Sequence, residues 1–152
     1  MKDEKHLGLK LTTIILAMIY PIIVLLSIGQ VKSFSVTWNT DLQPLFIFTN
    51  AITSYFLFSS DRWRFSALFL LLLTCISVEF SSTFHDLLAA IFFISCIKPM
   101  LAINRLKPYV ILYILSVPTI FMVNLFWFET VAVWILCLYH LHYLFVKINL
   151  QK

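Results

Sequence analysis

Long apolar runs, broken only by short polar punctuation, constrain this chain more than any other feature. Six of them can be marked, over residues 11–29, 44–59, 65–81, 86–103, 108–128 and 130–148. A helix that crosses a bilayer needs about 17–25 predominantly apolar residues, and each run meets or approaches that length. Of the 152 residues, 61% are hydrophobic and only 12% charged. Soluble domains carry about 25% charged residues, so a water-facing surface cannot be built from this composition. With two glycines in all and no alternating pattern, a membrane barrel is excluded as well. The expectation is an all-α integral membrane protein, one domain spanning residues 1–152, built as a bundle of six transmembrane helices.

The breaks between runs fix the orientation. "SSDRWR" parts the second run from the third, "NRLKP" the fourth from the fifth, and "FWFET" the last two. If six helices alternate, Lys2, Lys5, Lys10, Arg62, Arg64, Lys98, Arg105, Lys107, Lys147 and Lys152 all fall on one side. Lys32 alone falls on the other, so ten of the eleven basic residues share a side. Cytoplasmic loops carry the excess of Lys and Arg, so both termini are expected in the cytoplasm. The basic residues are scattered in pairs between apolar runs, which is a topology signal and no footprint for nucleic acid. A cleaved secretory signal over residues 1–29 is disfavoured, because its apolar run exceeds the usual 7–15 residues of such a segment. Pro21, Pro99 and Pro118 are expected to kink their helices. Cys75, Cys96 and Cys137 lie inside apolar runs with no C-x-x-C spacing, which fits packing. Neither cofactor nor metal is expected.

The stretch "VEFSSTFHDLLAAIFF" sets Glu79, His85 and Asp86 between the third and fourth runs, at the non-cytoplasmic mouth. Asn50 falls about 9 Å below the outer end of the second run, at 1.5 Å of rise per residue. Asn124 falls just inside the outer end of the fifth, and Glu129 opens the sixth. Polar groups at membrane depth usually face the bundle interior or a hydrated cavity. Asn50, Glu79, His85, Asp86, Asn124 and Glu129 are therefore expected to line one outward-facing polar cup, suited to a lipid headgroup or a membrane partner. A plainer role stands beside this one. Asp86 would serve as the N-cap of the fourth helix, and Glu129 as a first-turn acid of the sixth.

"SSTFH" also resembles the serine and histidine pattern of alkaline ceramidase and related membrane hydrolases, which pair it with histidines on a late helix around zinc. That resemblance implies a metal set of His85, His140 and His142, and with it the alternative of a membrane-embedded, metal-dependent hydrolase or lipid-modifying enzyme. Spacing speaks against it. His140 and His142, two residues apart, point to opposite faces of a helix, and His140 lies about 15 Å deeper than the outer mouth.

Taken together, "PLFIFTNAITSYFLF" with Pro44 and Asn50, the basic "DRWR" loop and "FHDLLAAIFF" resemble the Frag1/DRAM/Sfk1 family, with Glu129 and Trp134 as looser matches near the last helix. The resemblance spans most of the chain but rests on few residues. The loop after the first run lacks the proline-rich segment of many members. What it implies is a six-helix, multi-pass protein with cytoplasmic termini and a lipid-handling role without established catalysis. Its partners would be membrane lipids and other membrane proteins. In a bacterium such a protein would sit in the plasma or inner membrane, in a eukaryote also in endomembranes.

Overall fold

A computed structural model describes residues 7–76 and 81–149. The described residues form helices joined by short turns, with no strand. Helix α1 is Leu7–Ile28, α2 Gln43–Phe58, α3 Arg64–Cys75 and α4 Ser82–Ser95. A short α5, Ile97–Leu101, continues α4; α6 is Lys107–Ser116, α7 Thr119–Met122 and α8 Leu125–Asn149. Among the described residues, three stretches are long and apolar enough to cross a membrane: Leu7–Ile28, Ser82–Leu101 and Leu125–Lys147. The helices between them are shorter, with 16 residues in α2, 12 in α3 and 10 in α6.

Proline explains where the expected spans divide. Pro99 has no N–H for the carbonyl of Ser95, and its ring crowds that carbonyl; the α4–α5 break falls at Cys96. Pro118 parts α6 from α7 in the same way, and side chains take up the freed carbonyls. Ser116 donates its hydroxyl to Tyr113 O, and Thr119 donates to Ser116 O, both at 2.6 Å. Pro21 remains inside α1.

Two helix starts differ from the sequence expectation. Helix α4 begins ahead of Asp86, because the Ser81 hydroxyl accepts the Phe84 N–H at 3.2 Å and caps the helix there. Asp86 is an exposed residue of the second turn. Likewise α8 begins at Leu125 rather than at residue 130. Asn124 Oδ1 accepts the Trp127 N–H at 3.1 Å, so "FWFET" continues the helix that it was expected to interrupt. At the other end of α3, Cys75 is the last helical residue and Ile76 is extended, short of the expected residue 81.

Helix α8 is the centre of the packing, touching α1, α6 and α7, while α2, α3 and α4 pack in succession alongside. The largest core joins α3, α4, α6 and α8 through Leu70, Leu88, Phe92, Val110, Tyr113, Ala132 and Tyr139. A hydroxyl seam holds α2, α3 and α4 close. Ser54 donates to Ala67 O at 2.8 Å, and Ser95 to Ser66 Oγ at 2.9 Å. Small residues let helix backbones approach, and hydroxyls bond across the interface where no water can. The outer surface is apolar: Leu26 is 81% exposed and Met122 82%, with Ile94, Ile111 and Leu115 similarly bare. Exposure on this scale marks a surface made for another apolar phase.

Candidate functional site

Residues 29–42 join α1 to α2, and they fold inward over the end of the bundle. Gly29 turns the chain out of α1 with φ of 75°, a left-handed conformation that glycine adopts freely. Phe34–Asn39 then winds into a 3₁₀ helix. Its hydroxyls stitch it shut: Thr37 donates to Phe34 O at 2.6 Å, and Thr40 to Thr37 O at 2.9 Å.

Side chains of the bundle hold this segment down. Tyr20 of α1 and Thr37 share a hydrogen bond of 2.7 Å between buried hydroxyls. The Phe34 ring packs edge-on against Tyr20 and Phe126, with both centroid distances 5.3 Å. Phe126 N–H donates to Lys32 O at 2.9 Å, and Asn124 Nδ2 reaches Val31 O at 3.5 Å.

Beneath the segment lie two of the expected site residues. Glu129 of α8 is 4% exposed, and its Oε2 accepts the Phe34 N–H at 2.6 Å. His85 of α4 is completely buried, with Nδ1 3.2 Å from Ser35 Oγ. Its Nε2 has no hydrogen-bond partner among the described residues. Buried polar atoms are nearly always paired, so this nitrogen is an exception in the core. Asp86, the next residue along α4, is exposed.

His85, Asp86, Asn124 and Glu129 thus gather at one end of the molecule, with His85 and Glu129 buried under a docked segment, Asn124 bonded to its edge and Asp86 exposed outside it. Asn50 is not with them. It lines an interior cavity walled by residues of α1, α2, α3, α4 and α8 and by Phe34 of the overlying segment. Glu79 lies outside the described residues. Ser35 and the Phe34 N–H were not anticipated, although the hydroxyl-rich "SFSVTWNT" held the signal.

The three histidines of the alternative metal set occupy separate surroundings. His85 faces Ser35, His142 is exposed with Nδ1 3.2 Å from Tyr109 Oη, and His140 is packed against Trp63 with centroids 4.6 Å apart. Among the described residues, no group of three His, Cys, Asp or Glu side chains is placed to hold a metal ion. Comparison of the chain with protein-family models, with curated proteins and with solved structures yields no match.

Proposed function

We propose that this chain is a multi-pass membrane protein of the Frag1/DRAM/Sfk1 type, with six spans and both termini cytoplasmic. Its role is to bind a lipid headgroup at the non-cytoplasmic end without catalysing a reaction on it. The three long apolar helices and the bare apolar surface support a membrane setting. The ten-to-one division of basic residues supports the orientation.

One observation carries the binding role. Consecutive residues of one surface segment, Phe34 and Ser35, hold the buried carboxylate and the buried imidazole. When that segment lifts, an acid and a histidine are uncovered together, with Asp86 at the rim. A zwitterionic headgroup matches the set: its ammonium meets Glu129 and Asp86, and its phosphate meets the His85 nitrogen that has no partner.

Native mass spectrometry of the purified full chain tests this. Phosphatidylethanolamine is expected to be retained in preference to phosphatidylglycerol, and Glu129→Gln and His85→Gln are each expected to remove the preference. Equal retention of both lipids by the wild type, or an unchanged preference in both variants, would sink the reading.

A further inference from the structure

His140 stands further along α8 than Glu129, by about 16 Å of helical rise. It lines a cavity of about 150 Å³, together with Lys10 of α1, Ser60 and Arg62 of the turn between α2 and α3, and Tyr143 of α8. His140 and Trp63 also border the interior cavity of Asn50, but Lys10, Ser60 and Arg62 border this one alone. No residue of the 29–42 segment is in its wall. A water needs only ~10–15 Å³ of such space. The cavity therefore takes a small tetrahedral oxyanion with a few waters, and no acyl chain.

The charge on this wall is positive and unbalanced. Lys10 and Arg62 are in no ion pair with a described residue, and the acid of the same turn, Asp61, is engaged by Arg64 at 2.7 Å. Further in, His140 is only 9% exposed, yet its Nε2 has no hydrogen-bond partner among the described residues. The ring cannot readily turn away, since Phe56, Trp63 and Tyr139 pack around it with centroids 5.1, 4.6 and 5.4 Å distant. A neutral polar ligand would satisfy the imidazole and leave both cations unmatched. A phosphate answers all three groups, because its several charged oxygens can accept from donors on three different elements.

We infer that this cavity is a binding site for a phosphate group with two or more free oxygens. Lys10 Nζ and the Arg62 guanidinium balance its charge, and His140 Nε2 donates its N–H to one oxygen. Free phosphate and the monoester headgroup of phosphatidate share this chemistry. In the second case the acyl chains stay in the bilayer and only the headgroup enters. The site uses none of the residues of the headgroup reading above, so either can fail without the other.

A ligand that binds only the folded chain raises its melting temperature, and that rise is the test. The purified full chain is melted in neutral detergent with sodium phosphate or with sodium chloride at matched ionic strength. It is also melted in phosphatidylcholine nanodiscs doped with phosphatidate or, at equal charge, with phosphatidylglycerol. A saturable rise with phosphate names the free ion as the source, and a rise with phosphatidate alone names the headgroup. Lys10→Gln with Arg62→Gln is expected to remove the rise. Arg105→Gln with Lys107→Gln, which neutralises two exposed cations outside the cavity, should keep it. His140→Phe keeps a packed ring without its nitrogens, and should need about tenfold more ligand, as loss of a hydrogen bond to a charged group does. No rise with either phosphate source beyond its control, an undiminished rise in the Lys10/Arg62 variant, or an equal loss in the Arg105/Lys107 variant would overturn the proposal.

Discussion

Glu129 and His85 stand on different helices, α8 and α4, yet adjacent residues of one segment bind them: Phe34 N–H at 2.6 Å and Ser35 Oγ at 3.2 Å. The α1–α2 connection is therefore a tertiary clasp between the first, fourth and last long helices. Its grip is polar as well as apolar, which means that it can be loosened one hydrogen bond at a time.

Ser35→Ala removes the hydroxyl that faces His85 and leaves a second imidazole nitrogen unpaired in a fully buried position. Orphaning a buried polar atom costs about 1–3 kcal/mol. Thermal unfolding in detergent is expected to show a loss of that order. Ser59→Ala, at an exposed turn hydroxyl, should be nearly silent. Equal losses at the two positions would mean that the Ser35–His85 contact contributes nothing of its own.

Glu129 separates holding the segment from binding a ligand. In Glu129→Gln the amide oxygen still accepts the Phe34 N–H, whereas Glu129→Leu leaves that donor unpaired, at a cost of about 1–3 kcal/mol. Hydrogen–deuterium exchange across Phe34–Asn39 is accordingly expected to rise in the leucine variant and to change little in the glutamine variant. If both variants exchange as slowly as the wild type, the carboxylate is not what anchors the segment.

The helical, lipid-suited character of the chain was legible in the sequence because hydrophobic runs register directly as apolar helices. Helix ends were less legible. Asp86 and Glu129 looked like terminal residues by charge, yet short polar side chains upstream, Ser81 and Asn124, took the first free N–H groups. A cap is a local hydrogen bond, and any Ser, Asn or Asp nearby competes for it. The facing of Asn50 was not readable, since it depends on how α2 rolls against α1 and α3. The clasp was the least visible part. Ser35 and Thr37 find their partners on distant helices, and no period in "SFSVTWNT" encodes such pairings.

Orientation has a direct readout. With six alternating spans, residue 32 is exposed outside and residue 62 inside. In a variant cleared of the three native cysteines, Lys32→Cys should react with a membrane-impermeant maleimide in intact cells. Arg62→Cys should react only after permeabilisation. The opposite pattern would invert the assignment of the termini and place the clasp on the cytoplasmic face.

The two glycines should respond with opposite signs. Gly29 has φ of 75°, its N–H bonds to Leu25 O at 3.1 Å, and nothing lies within 4 Å of where a Cβ would stand. Space is thus no obstacle to Gly29→Ala, and only the left-handed backbone resists it, at roughly 1–2 kcal/mol. The strain falls where α1 hands over to the clasp, so the variant should both unfold earlier and exchange faster over Phe34–Asn39. Gly8 sits inside the first turns of α1, also with open space around it. Alanine there removes chain entropy from the unfolded state and favours the helix, by up to about 1 kcal/mol. Melting of the two variants side by side is the measurement: Gly29→Ala should melt below the wild type, and Gly8→Ala at or above it. If Gly29→Ala melts with the wild type, the turn can relax to negative φ without releasing the segment, and the link between helix end and clasp is broken.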